Sequence, residues 1–484
     1  MNTFALLMFT LAGTPDIRTP SSADYPPAIR TVLESTQTLR HPRGKRLPLF
    51  LWTVQGGVVE DTQLQQRIIQ ELDERGVAMI ASWNPDQRER SLADALRIAR
   101  IQQEHGLLVC VNATACMYGF FNGDDRTAHV DGNGRPFFDG SIPGGKIGCP
   151  FRIEHRYGTV TDQIEGFVSA YQRAGVPLDF VFGDWEIDGP LEINRAWESA
   201  KRCAVCRASI AKIDDFREFQ KAVRLQRAEA TRTCYVKPIL ARYPNTWVGN
   251  YGVYPHDGYR YWFDYFEEFV DYHPYRREQR ARYREWFQEF PWTGYTCAMP
   301  VVYPWARVYG WYDFANPDYR WFYNTLLVAS NAPKHVDPRV PIVPFVHWHT
   351  IFDPDPPDAS LPQMSEQAYR ELLWHMLLRG SDTFFLWCLD SQAAAEIALV
   401  HQVWSEALEY ADWLEDGEPI TFDVPSNEQP IVSGLRRGSH VLVRRTDFDR
   451  HHPDPVILRV AGKTLSVPSS PGRCLIVPLE SPDR

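Results

Sequence analysis

Leu178-Asp-Phe-Val-Phe-Gly-Asp-Trp-Glu-Ile-Asp188 is the stretch whose reading decides the fold. Pro177 and Gly189 bound a run of apolar and aromatic residues that reads as a short buried strand ending in acid. Side chains alternate faces along a strand, so Phe180, Phe182, Asp184 and Glu186 fall on one side, with both carboxylates at the C-terminal end. Two carboxylates this close on a buried face cannot both be cheaply desolvated as anions, so one is expected to titrate high. A neutral carboxyl beside a charged one is the equipment of general acid catalysis. Strand-end acids that cap a loop or pair with an arginine give the same pattern, so the surrounding fold has to be read next.

Upstream, Leu47–Gln55 reads as a first strand and Asp61–Arg75 as a helix, with Leu64, Ile68, Ile69 and Leu72 on one face, Asp61 as N-cap and Gly76 as stop. The unit recurs as strand Val77–Trp83 with helix Leu92–Glu104, then strand Leu107–Asn112. A Gly- and Asp-rich excursion from Phe120 to Tyr157 follows. It contains Asp131-Gly-Asn-Gly134, where Arg135 sits at a position a calcium loop needs for a ligand, so a hairpin turn fits better. Helix Thr161–Ala174 then leads into the acidic strand.

Downstream, a charged helical insertion covers 191–242, large enough to shield a site above the fourth strand. The alternation resumes with strand Thr246–Tyr254 and helix Tyr261–Tyr272, strand Thr296–Tyr303 and helix Pro317–Ala329, strand Val340–His349 and helix Ser365–Leu378, and strand Thr383–Asp390 with helix Ala393–Trp413. Eight strand-helix alternations predict an α/β fold, a (β/α)8 TIM barrel with insertions, over 46–417 after a lead segment 1–45. From 418 to 484 the period changes. Ile420–Val424, Ser439–Arg445, Val456–Val460 and Cys474–Leu479 read as strands of a small all-β sandwich domain.

The chain has 484 residues, 44% hydrophobic and 23% charged, with a net charge of -10, which disfavours nucleic acid as the main partner. Sixteen Trp and 22 Tyr supply flat rings with a polar edge, suited to ligands that are apolar on one face and hydroxylated at the rim. Nine cysteines spell no disulfide framework, and Cys203-x-x-Cys206 shows no second pair or nearby histidine to complete a zinc set. Thr3–Ala12 has the length of a signal h-region but no basic n-region or cleavage site, which places a secreted or periplasmic protein only slightly ahead of a cytoplasmic one. No other apolar run approaches a membrane span.

In barrels the site lies at the C-terminal strand ends. Here those ends are Trp52, Trp83, Asn112, Asp184, Glu186, Tyr251, Tyr303, Trp305, His347, His349, Trp387 and Asp390. Two carboxylates among aromatic and amide groups have the composition of a sugar site. His347 and His349 share a strand face, but a further histidine and a carboxylate to complete a metal set are not evident, so polar contacts at a strand end are expected. No metal or cofactor is expected.

Asp184-Trp-Glu186 at a fourth strand end resembles the Asp-Phe/Trp-Glu motif of hyaluronidases. It is similar, more loosely, to the chitinase D-x-x-D-x-D-x-E signature, which Asp179, Asp184 and Glu186 match while Phe182 replaces the middle Asp. The resemblance implies hydrolysis of a hexosamine-containing glycan with substrate assistance. Glu186 would protonate the leaving oxygen, Asp184 would orient a substrate 2-acetamido group, Tyr303 would hydrogen-bond that group and Trp387 would underlie the sugar. Phe345-Val-His-Trp-His349 carries no Glu to serve as a second carboxylate. A two-carboxylate glycoside hydrolase using Asp257, Asp353 or Asp390, and a glycan-binding barrel without activity, remain the alternatives. The basic run Arg276–Arg282 reads as a solvated helix face or a local positive rim.

Overall fold

The structure, a computed structural model, describes residues 24–55, 59–118, 124–140, 146, 148–185, 197–252, 256–257, 282–283, 290–304, 311–350, 363–448 and 453–480. Glu186, Trp305, helix 261–272, the basic run up to Ala281 and the N-terminal apolar stretch lie outside these residues, as do the side chain of Asp257 and all of Asp353.

Eight parallel strands form one curled sheet: β1 (Phe50–Leu51), β2 (Ile80–Ser82), β3 (Cys110–Asn112), β4 (Phe180–Gly183), β5 (Trp247–Gly252), β6 (Met299–Val302), β7 (Phe345–Val346) and β8 (Phe385–Leu386). Neighbours follow chain order from β2 to β8, and β1 pairs with β8. Parallel bridges from Leu49 to Val77 and from Gln55 to Ile80 link the β1 segment to that of β2. Inside the curl the alternation of β4 takes effect. Phe180 stacks on Phe50 with centroids 4.7 Å apart, and Phe182 meets Phe385 edge-on at 4.7 Å, which stacks on Phe345 at 4.6 Å. Aromatic rings from the neighbouring strands β1, β8 and β7 and from β4 therefore fill the interior between them.

The main helices are α1 (Thr62–Asp73), α2 (Arg88–Glu104), α3 (Tyr157–Ala174), α4 (Phe216–Thr231), α5 (Pro317–His335), α6 (Glu366–Leu377) and α7 (Ala393–Ala407). The Asp61 side chain accepts from the N–H groups of Gln63 and Leu64, and Ser365 accepts from Ala368. Gly76 holds the left-handed backbone at φ +68°, and a Cβ there would meet the Trp404 ring at 2.3 Å. Among the described residues no helix is long and apolar enough to cross a membrane.

The C-terminal part forms a four-stranded antiparallel sheet, β9 (Glu418–Pro419), β10 (Ile431–Arg437), β11 (His440–Thr446) and β14 (Cys474–Pro478), beside the ribbon of β12 (Val456–Val460) and β13 (Lys463–Val467). Val432, Val441, Val443, Val460, Leu465 and Val467 make a common apolar core.

This unit is joined to α6 through buried polar groups. The His375 ring is fully buried and contacts Ser433 Oγ at 2.7 Å and Thr446 Oγ1 at 3.0 Å. Burial, then the Arg379 and Arg444 charges, hold its pKa well below the ordinary value. The folded protein keeps His375 neutral while the unfolded chain takes up a proton below about pH 6.5. Stability from this group is therefore complete above that pH and falls as pH drops, by up to about 1.4 kcal/mol per unit. Urea midpoints measured from pH 7.5 to 5 should decline, and His375→Gln should flatten the decline; an unchanged slope contradicts the assignment.

Candidate active site

Asp184 follows the last residue of β4 and is half-buried. Its backbone is fixed on both sides. The Asp184 N–H donates to Thr114 Oγ1 at 2.8 Å, and its carbonyl accepts from the Tyr118 hydroxyl at 2.9 Å. The next residue, Trp185, is fully buried, and its N–H donates to Asn250 Oδ1 at 3.0 Å. Arg227 of α4 donates to the Trp185 carbonyl and lies over the Trp185 ring at 4.7 Å. The middle residue of the Asp-Trp-Glu motif is thus a core anchor, and the insertion supplies the arginine that clamps it. Gly183 is required beside it, because a Cβ there would stand 2.7 Å from Asn250 Oδ1.

Asn250 also donates to the Tyr251 carbonyl at 2.8 Å, carrying the network to the end of β5. From there an aromatic wall continues along the strand order. Tyr251 and Tyr303 lie 6.4 Å apart, Tyr303 stacks on Trp387 at 5.8 Å, and His347 meets both Tyr303 (5.7 Å) and Trp387 (5.3 Å). Trp52 reaches the same interior over Phe182 and Phe385.

Three expected site residues sit elsewhere or are otherwise engaged. Trp83 is 1% exposed and stacks on Phe167 of α3 at 5.2 Å, with Tyr171 edge-on at 5.5 Å. The strand's alternation turns it outward to the helix layer, so it is a core residue and not a sugar platform. Asn112 donates to Gln55 Oε1 and accepts from the Thr114 N–H at 2.8 Å, tying strand ends together. Asp390 is exposed, beyond the end of β8.

The carboxylate partner that the sequence left unnamed is Glu396, fully buried in the first turn of α7. It accepts from His347 Nδ1 at 3.1 Å, from His349 Nδ1, and from the Trp348 N–H at 3.0 Å. Burial would raise its pKa, but the hydrogen bond and charge of His347, with the His349 and Trp348 contacts, hold it below the usual carboxylate range. An ionised carboxylate only accepts, so each imidazole carries its proton on Nδ1. Its sequence signal was a glutamate set among alanines and aliphatics, Ala393-Ala-Ala-Glu-Ile-Ala-Leu-Val400. Glu396→Gln puts an amide donor against these donors and should cost about 1–3 kcal/mol in urea unfolding; an unchanged midpoint would show that the pair is not anchored there.

The set His347, His349 and Glu396 has donor atoms within 4.8 Å of one another, a possible two-histidine, one-carboxylate centre, though direct hydrogen bonds already account for each contact. Among the described residues the other such set is His129, Cys149, Cys203 and Cys206. It overturns the expectation that no histidine or further cysteine stands near Cys203 and Cys206.

No protein-family model and no curated protein matches the sequence. Similar solved structures include a GH36 alpha-galactosidase from Geobacillus stearothermophilus, with TM-score 0.42 and 11% identity, covering 94% of this chain and 58% of that one. A beta-galactosidase from the Antarctic haloarchaeon Halorubrum lacusprofundi gives TM-score 0.44 and 12% identity over 77% and 59%. A cyclomaltodextrinase gives 0.37 and 10% over 88% and 69%. The chain spans under two thirds of the first two, and overlaps this loose carry no argument about activity.

Proposed function

We propose that the protein is a glycoside hydrolase. The curled sheet acts as a (β/α)8 barrel over 46–417, with the insertion at 191–242 above β4 and a β-sandwich module over 418–484. The observation that carries the reading is the placement of Asp184. It stands at the C-terminal end of β4, with its backbone locked and the Tyr251, Tyr303, His347 and Trp387 wall on the following strand ends. A carboxylate-bearing residue at one strand end, with aromatic rings and an imidazole on the strand ends that follow, has the composition of a sugar site.

In this reading Glu186 is the acid that protonates the leaving oxygen, as the resemblance to hyaluronidases implies, and Asp184 orients and charge-stabilises a substrate acetamido group. Tyr303 hydrogen-bonds that group, and Trp387 lies under the ring. The end of β7, Phe345–His349, bears no carboxylate of its own, and Glu396 is taken up by His347, Trp348 and His349, which supports substrate assistance. Carbohydrate is the partner, and no cofactor takes part in the proposed steps.

The test is release of reducing ends from a glycan panel by wild type and Glu186→Gln, on matched substrates with and without the 2-acetamido group. Loss of activity in the variant on acetamido sugars supports the proposal. Equal activity in both proteins discards the acid, strong turnover of the plain sugar discards substrate assistance, and binding without turnover leaves a glycan-binding barrel.

A further inference from the structure

We infer that His129, Cys149, Cys203 and Cys206 form a structural zinc site that staples the excursion after β3 to the insertion after β4. All four side chains are fully buried. Their ligand atoms all lie within 4.8 Å of one another: Cys149 Sγ is 3.4 Å from Cys206 Sγ and 3.9 Å from Cys203 Sγ, and Cys206 Sγ is 3.8 Å from His129 Nδ1. Zinc–sulfur bonds of about 2.3 Å and zinc–nitrogen bonds of about 2.0 Å, arranged tetrahedrally, place sulfurs about 3.8 Å apart and sulfur and nitrogen slightly closer. The two sulfur–sulfur separations bracket their edge, and the sulfur–nitrogen separation is slightly longer than its own. They are far longer than the ~2.05 Å of a disulfide, and all three cysteines are free thiols.

The local chain explains how four residues from distant positions converge. His129 stands on a two-stranded ribbon, His129–Val130 paired with Pro136–Phe137, and its ring stacks on Phe137 at 5.2 Å. The ribbon's turn is held by the Asp131 carboxylate, which accepts from the Asn133 and Arg135 N–H groups. Cys149 is docked beside the ribbon by its N–H to the Thr127 carbonyl at 2.7 Å, a close approach that Gly148 permits because a Cβ there would meet that oxygen at 2.4 Å. Cys203 and Cys206 come from the junction of two short helices, Trp197–Arg202 and Ala204–Ser209, the C-x-x-C spacing putting both thiols on one side of the second helix start.

The physical need for a staple is plain. Around these ligands lies a small apolar cluster, Ala200, Ile210, Ile213, Phe216, Phe219 and Val223, separate from the main core. A lobe with so little apolar area buries too few groups to hold its own loops, and metal ligation is one of the standard substitutes for a core. The two stapled segments leave the C-terminal ends of neighbouring strands, β3 with Asn112 and β4 with Asp184. The metal therefore fixes the rim over that part of the sheet, whatever substrate the site takes.

The test uses the full chain, purified without chelator and desalted, with metal content read by elemental analysis. About one zinc per chain is expected. Replacing zinc by cobalt should give the visible bands of a tetrahedral ion with thiolate charge transfer in the near ultraviolet. Cys203→Ser and His129→Ala should each lose most of the metal, while His347→Ala keeps it, which separates this site from the His347–Glu396 group. Absence of bound zinc after loading, retention in both ligand variants, loss in His347→Ala, or a weak octahedral cobalt spectrum overturns the site. Should the variants fail to fold, the wild-type cobalt spectrum decides.

Discussion

Asp184→Asn should lower kcat on a 2-acetamido glycoside by about 100- to 1000-fold, the size of effect seen when one preorganised electrostatic contact to a developing charge is removed. KM should stay near the wild-type value. The substitution is isosteric, and the backbone at this residue is held from outside the side chain, by Thr114, Tyr118 and, through Trp185, by Asn250 and Arg227. Asparagine therefore occupies the same place with the charge removed. In the proposed reaction the carboxylate meets positive charge only as the acetamido group attacks, so its loss is felt in the transition state and little in the ground state. Steady-state kinetics on matched substrates check this. A rise in KM with kcat unchanged would make Asp184 a ground-state binding group and would remove it from the chemistry.

Much of this site was legible in the sequence because strand alternation is a local rule. Phe180 and Phe182 could be placed on the interior from spacing alone, and Tyr251, Tyr303, His347 and Trp387 followed from strand ends. Taking strand ends as site positions failed at Trp83, which stands one position beyond Ser82 of β2 and by the same alternation packs outward. Strand lengths were overread for a different reason. In 340–349 the pairing shrinks to Phe345–Val346 and a single bridge from Ile342 to Ala298, because Pro341 and Pro344 have no N–H to give to a ladder. Strand β10 was missed, and Ser433-Gly434 interrupts its apolar run. In the fold Gly434 is where β11 comes close, a Cβ there meeting the Leu442 carbonyl at 2.6 Å. Glu396 and the His129, Cys149, Cys203, Cys206 cluster depend on contacts between segments far apart in the chain, so beyond the Cys203-x-x-Cys206 pair and the lone glutamate among alanines no local pattern announces them.

Glu371→Ala should be the most destabilising single change at the junction of α6 and the C-terminal sheet, by about 3–5 kcal/mol. Arg444 on β11 forks onto Glu371 with Nε to Oε2 at 2.8 Å and Nη2 to Oε1 at 2.6 Å, and Thr446 Oγ1 donates to Oε2 at 2.7 Å. Both charged side chains are nearly excluded from water, at 5% and 8% exposure, and the guanidinium lies over the Trp374 ring at 4.6 Å. Desolvation alone would lower the Arg444 pKa, yet the Glu371 contacts raise it, so the arginine stays charged in the fold. Deleting the carboxylate leaves that cation buried against Trp374 and close to the low-pKa ring of His375, with its main counter-charge gone. The double change Glu371→Leu, Arg444→Met removes both charges while keeping volume, and should recover most of the loss. Urea unfolding of the three proteins checks the pair. A single-variant cost below about 1 kcal/mol would class it with exposed ion pairs. A double variant no more stable than the single would locate the loss in packing on Trp374 and not in the uncompensated charge.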